Sequence, residues 1–223
     1  MVFQDIESDR HYTFASVRET SKLFANSLQK HFNFSKGNII SVFTSNDVDV
    51  APCTYGALYA GGIVCPVNPA YSATEFAFML KDAGATIILT QASLLPVAYE
   101  AASLAGIPQT HIILLGAERD PVGQTQHFRD LRPRDASKAI QGTIDPIKDL
   151  AFLVYSSGTT GLPKGVMLNH RNVIADILMI NGSVGGAYSW KNDRLLGVLP
   201  FFHIYGKFSI SLMAHHAISA VFG

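Results

Sequence analysis

The sequence predicts an α/β fold in which parallel-rich sheets are flanked by helices. Short β-branched and apolar runs alternate with helical stretches from Thr13 to Leu115, the order that builds parallel sheets with helices on their faces. Residues suited to capping punctuate those stretches, with Thr13 and Ser72 at the starts and Gly61 and Gly84 at the ends. Hydrophobic residues make up 48 % of the chain, ample for a packed core.

Thr13 caps a helix running toward Lys30, in which Val17, Phe24 and Leu28 recur on one side. Asn38 to Phe43 then reads as a strand. The next helix starts at Asp49, which leaves Pro52 in the first turn where proline is tolerated, and it ends at Gly61 and Gly62. Ile63 to Val67 is a short buried strand. A turn through Asn68 and Pro69 leads into a helix opened by the capping box Ser72 to Glu75 and closed by Gly84. The unit then repeats, with Thr86 to Thr90 as strand, Ser93 to Ala105 as helix and His111 to Leu115 as strand. Four strands are thereby expected in one sheet.

From Gly116 to Asp149 the periodicity fades. Arg119, Asp120, Arg129, Asp130, Arg132, Pro133, Arg134 and Asp135 form a mixed-sign connector, expected to be a solvated crossing between subdomains. The expected division is residues 1–149, a first α/β subdomain with the charged connector, and residues 150–223, the start of a second.

Ala151 to Tyr155 and Gly165 to Leu168 are apolar strands joined by Ser156-Ser157-Gly158-Thr159-Thr160-Gly161-Leu162-Pro163-Lys164. Two glycines let successive backbone N–H groups converge on one anion, and four hydroxyls and an ammonium add donors. A polyphosphate suits that set. The phosphate loop of ordinary NTPases needs Gly-Lys-Ser/Thr opening a helix, whereas Lys164 is followed by Gly165 and a strand.

The ordered run Tyr155 to Val166 resembles the signature of the adenylate-forming superfamily, which includes acyl-CoA synthetases, 4-coumarate:CoA ligases, luciferases and peptide-synthetase adenylation domains. Leu199-Pro200-Phe201-Phe202-His203-Ile204-Tyr205-Gly206 is similar to that family's substrate-side motif, and Ala60-Gly61-Gly62-Ile63-Val64-Cys65-Pro66-Val67-Asn68-Pro69 to its early turn. Asn169-His170-Arg171-Asn172 fits the strand-to-helix junction after the loop, with Asn169 as cap. The fold implied is the first part of the large N-terminal domain of such an enzyme.

The resemblance implies an ATP-dependent carboxylic acid:CoA ligase acting on an aryl or fatty acid. Such enzymes form an acyl-adenylate with release of pyrophosphate and pass the acyl group to CoA. It implies phosphate binding by Ser156, Ser157, Gly158, Thr159, Thr160, Gly161 and Lys164, with Lys164, Thr159 and Thr160 taking the catalytic part. His203, Tyr205 and Ser209 are implied to face the acid or its adenylate. Lys207 departs from the family, which places an apolar residue there, and His215 and His216 point to different helix faces and receive no role. ATP, Mg²⁺ and CoA are the implied co-substrates and cofactor, with the metal ligand expected downstream of Gly223. Because Ala217 to Gly223 reads as a strand without a closing helix, the chain is expected to be an incomplete N-terminal portion, inactive alone, with an unpaired last strand that favours self-association. Two further readings stay open, a noncatalytic nucleotide-binding or interaction module derived from such a ligase and an amino-acid adenylation domain.

Seventeen basic residues balance seventeen acidic ones, so long-range attraction to nucleic acid is absent and any anion is gripped locally. No apolar run reaches membrane-spanning length. Cys53 and Cys65 sit in apolar surroundings, as expected of buried thiols in a reducing compartment; a peroxisomal address belongs to a protein's C-terminus, so the cytosol and the peroxisome both stay open.

Overall fold

A computed structural model describes residues 3–131, 135–156, 163–184, 193–206 and 219–222. The strands are β1 (Phe3–Asp5), β2 (His11–Tyr12), β3 (Ile39–Phe43), β4 (Ile63–Val67), β5 (Ala85–Thr90), β6 (Ile112–Leu114), β7 (Gln126–His127), β8 (Leu150–Ser156), β9 (Lys164–Asn169), β10 (Arg194–Leu196) and β11 (Ser219–Phe222). The helices are α1 (Phe14–Phe32), α2 (Val50–Tyr59), α3 (Ala73–Ala83), α4 (Leu95–Ala105), α5 (Phe128–Leu131) and α6 (His170–Val184). The expected α/β class is borne out.

Seven strands form the main sheet in the order β7-β6-β5-β3-β4-β8-β9. Only the β8–β9 pair is antiparallel. The inner strands are buried on both faces, which is why β3, β4 and β6 read as continuous apolar runs. One face carries Val42, Val64 and Leu89 against Phe24, Leu28 and Ala57 of α1 and α2. The other carries Phe43, Cys65 and Ile88 against Phe76, Leu80, Ala98 and Ala101 of α3 and α4. Phe43 stacks on Phe76 at 4.2 Å between ring centres, an offset aromatic pair at the centre of that second layer.

The local signals fold as their chemistry dictates. Thr13 and Ser16, like Ser72 and Glu75, exchange side-chain and backbone hydrogen bonds in reciprocal capping boxes. The Ala60-Gly61-Gly62 turn is a Schellman cap: the Gly62 N–H donates to Ala57 O at 2.9 Å and the Gly61 N–H to Leu58 O at 2.9 Å. Gly61 has φ +86°, a conformation glycine adopts without strain. Cys53 and Cys65 are buried free thiols, and burial pushes the Cys65 pKa up to about 12.

The four strands expected to share one sheet do so as β3, β4, β5 and β6, and among the described residues β7 and the β8–β9 hairpin extend that sheet on opposite sides, with β8 against β4. Two expectations change. The connector is only partly solvated: Arg119 and Asp130 pair on the surface, but His127 and Phe128 are buried and Arg129 turns inward onto Asp49. Side chains of α1 hold the connector from below, Ser27 Oγ donating to Leu131 O at 2.9 Å and Gln29 Nε2 to Ile140 O at 2.6 Å. Finally, β11 is not left unpaired, since it lies between β10 and β1 in a second sheet ordered β10-β11-β1-β2. Among the described residues, no helix is long and apolar enough to cross a membrane.

Candidate active site

The glycine- and hydroxyl-rich loop leaves the sheet at the C-terminal end of β8, where ligands of open α/β sheets bind. In the β8–β9 ladder Tyr155 stands opposite Gly165, and Ser156 opposite Lys164. Cross-strand partners share a sheet face, so the Ser156 hydroxyl and the Lys164 ammonium flank the mouth of the loop on one side. Val154, Val166 and Leu168 continue that side by period-two alternation. Ser157, Gly158, Thr159, Thr160 and Gly161 lie outside the described residues, as does Ser209.

A cleft of about 390 Å³ opens beside this hairpin. Its walls are Val154, Tyr155 and Ser156 of β8, Val166 and Leu168 of β9, Pro66 and Asn68 at the end of β4, Tyr71 and Met79, and Phe202, His203 and Ile204. The size and the mostly apolar lining with a few polar groups suit a small organic ligand. The structure therefore brings Ser156 together with His203, from two motifs far apart in sequence. Lys164 is exposed at the loop mouth, and Tyr205 is 70 % exposed and does not line the cleft.

The His203 turn is built by its backbone. The His203 N–H donates to Pro200 O at 3.0 Å, the Tyr205 N–H donates to His203 Nδ1 at 3.4 Å, and the two rings stack at 6.0 Å. Gly206 is required there, because a Cβ would sit 2.1 Å from Pro200 O. After the hairpin, Asn169 caps α6 as expected: its Oδ1 accepts from the Asn172 N–H at 2.8 Å and the Asn172 Oδ1 accepts from the Asn169 N–H at 3.1 Å.

Two parts of this region were not singled out from sequence. Tyr155 Oη donates to Asp82 Oδ2 at 2.5 Å, which ties the cleft wall to α3. Burial and then Asp82 push the Tyr155 pKa up, so it stays a neutral phenol. The second is an ion cluster below the sheet's C-terminal edge. Fully buried Asp49 accepts from Tyr12 Oη at 2.6 Å, from Arg129 Nη2 at 2.8 Å and from the Gly116 N–H at 3.1 Å. Arg10 bridges Asp47 at 2.8 Å and Asp5 at 2.8 Å. Burial opposes the charge on Arg10 more than any single partner favours it, but the hydrogen bonds and charges of Asp47, Asp5 and Asp49 together outweigh burial and raise its pKa. Burial raises the Asp47 pKa against the same bond. Oppositely charged residues dispersed at positions 10, 47, 49 and 129 give no local signal; only the fold brings them together.

A model of the family described as "AMP-binding enzyme" matches residues 1–222. The chain is 34 % identical over 217 residues to the 4-coumarate–CoA ligase of Pinus taeda, covering 97 % of this chain and 39 % of that protein. It is 31 % identical to the long-chain-fatty-acid–CoA ligase of Bacillus subtilis (strain 168), covering 92 % of this chain and 38 % of that one. Among solved structures, a long-chain-fatty-acid-CoA ligase from Archaeoglobus fulgidus superposes with a TM-score of 0.81 at 24 % identity, over 100 % of this chain and 44 % of that one, a likeness of fold. The chain thus spans about two fifths of the length of these relatives.

Proposed function

Because this chain belongs to the AMP-binding enzyme family, we propose that it supplies the phosphate-holding loop and the acid-side wall of an ATP-dependent carboxylic acid:CoA ligase. The observation that carries this reading is that Ser156, at the start of the loop, and His203, in the substrate-side motif, line one cleft. A phosphate site and an acid site must be neighbours if a carboxylate is to attack a phosphoryl group.

In the proposed reaction a carboxylate oxygen of the acid attacks the α-phosphorus of ATP. The bond from that phosphorus to the bridging oxygen breaks, and pyrophosphate leaves with its electron pair. The acyl group then passes to the CoA sulfur with loss of AMP and of the thiol proton. Charge grows on the leaving pyrophosphate, and fixed donors lower the barrier where charge grows. Lys164, Thr159 and Thr160 take that part, with Ser156, Ser157 and the N–H groups about Gly158 and Gly161 holding the phosphates. His203 and Ser209 orient the acid, while Tyr205 supports the His203 ring by stacking.

The names of the relatives point to an aryl acid such as 4-coumarate or a long-chain fatty acid. The apolar walls Val154, Val166, Leu168 and Met79 suit the body of either. When bound, Mg²⁺ would neutralise phosphate charge. No three carboxylate, histidine or cysteine side chains gather for a metal among the described residues, so the donors named above are the chain's own contribution. The test is acid-dependent exchange of labelled pyrophosphate into ATP. Exchange with 4-coumarate or palmitate supports the reading, and its absence with a broad panel of acids, in a folded and complete protein, overturns it.

A further inference from the structure

Between β10 and the His203 turn the chain runs through Gly197, Val198, Leu199, Pro200 and Phe201, and little of it is held by burial. Val198 is 71 % and Leu199 45 % exposed, whereas Phe201 is buried. One side chain from the first half of the molecule grips this run. Asn46 Nδ2 donates to Gly197 O at 3.0 Å and to Leu199 O at 3.0 Å, and its Oδ1 accepts from the Phe201 N–H at 2.7 Å. Both amide hydrogens and one oxygen lone pair are used, which fixes the orientation of the amide, because the flipped form would set its oxygen against two carbonyls.

Asn46 is itself held on both sides. The Ser45 N–H donates to Gln91 Oε1 at 2.9 Å. Asp47 is locked to Arg10 and accepts from the Asp49 N–H at 2.8 Å. A half-buried amide on a pinned loop therefore meets three backbone groups immediately ahead of His203. The geometry points to Asn46 as the positioning residue of the acid-side turn: it holds Gly197–Phe201 so that Phe202, His203 and Ile204 face the cleft. The acid-side turn is thereby coupled to the ion cluster at the end of β3. This inference rests on the reading of His203 given above.

Two variants separate positioning from folding. Asn46→Ala removes all three bonds. Asn46→Asp keeps the shape and an acceptor for the Phe201 N–H but replaces both donors with a carboxylate oxygen facing two carbonyls. Amide hydrogen exchange is expected to quicken about tenfold at Phe201 in Asn46→Ala, with the amides of β3 and β5 unchanged, and the His203 ring resonances are expected to shift in both variants. In pyrophosphate exchange with 4-coumarate or palmitate, the KM for the acid is expected to rise about fivefold or more while the KM for ATP holds.

Unchanged Phe201 exchange and an unmoved His203 ring overturn the inference. So does a fall in kcat alone with both KM values intact, which marks a loss of folded protein. If the unsubstituted protein exchanges with no acid, the functional reading fails separately, and the clamp is then decided by hydrogen exchange and the His203 resonances alone.

Discussion

Ser156 and Lys164 stand opposite each other at the open end of the β8–β9 hairpin, so a hydroxyl and an ammonium guard one mouth from the same sheet face. In the proposed reaction, a charge placed there by strand register would need little rearrangement to meet developing phosphate charge. Lys164→Ala is expected to slow acid-dependent pyrophosphate release by about 10²- to 10³-fold, with a much smaller change in the KM for the acid. Steady-state kinetics on the complete protein carrying the substitution checks this, and an unchanged kcat would remove Lys164 from the proposed reaction.

Gly62 packs against Phe34 with no room to spare. A Cβ would lie 2.3 Å from Phe34 Cε1 and 3.1 Å from Ala57 O. Phe34 is itself buried, so the ring has nowhere to move. Gly62→Ala is expected to cost about 1–3 kcal/mol, the range for overpacking a core, read as a lower urea midpoint with an unchanged slope. Gly106→Ala provides the comparison: its Cβ meets nothing within 4 Å, so only the strain of its φ of +75° remains.

Asp49 joins the first strands to the connector through Tyr12, Arg10, Arg129 and the Gly116 N–H. Asp49→Ala leaves two guanidinium groups and a phenol facing a buried gap. Loss of one partner from a buried ion pair costs about 3–5 kcal/mol, so the variant is expected to be strongly destabilised in chemical denaturation. Proteolysis should then cut first in the connector, where Arg129 is the lost anchor. Full stability in Asp49→Ala would show that the cluster contributes nothing net.

His127 is buried, with Nε2 3.0 Å from Gly116 O and Nδ1 accepting the Arg129 N–H at 3.2 Å. That pattern requires the neutral ring. Burial lowers its pKa below 6.5, with the Arg119 and Arg129 charges adding to the effect; burial lowers that of His170 too. The unfolded chain therefore binds more protons than the folded one below about pH 6.5, and stability should fall as pH drops through that region. Denaturation midpoints from pH 7.5 to 5 are expected to decline, and His127→Asn is expected to flatten part of the slope. An unchanged slope in the variant would mean that His127 is not a source of it.

Most elements were legible because their signals are local. Thr13, Ser72, Gly61 and Gly84 act within one helical turn of themselves, so neighbouring residues suffice to place them. The β8–β9 hairpin was legible for the same reason: two apolar runs lie on either side of a glycine- and hydroxyl-rich stretch of sequence, and the antiparallel register sets Ser156 against Lys164.

By itself the sequence determined the class of fold, the caps, the hairpin and the residue types offered to an anion. The tertiary structure alone decided that seven strands share one sheet, that Arg129 turns inward to Asp49, and that Asn46 grips the run leading to His203. The physical reason is range. Caps and turns are satisfied by atoms a few residues away, whereas a buried carboxylate or an exposed loop is satisfied by whichever donors the packed sheet brings near, and no spacing along the chain records that choice.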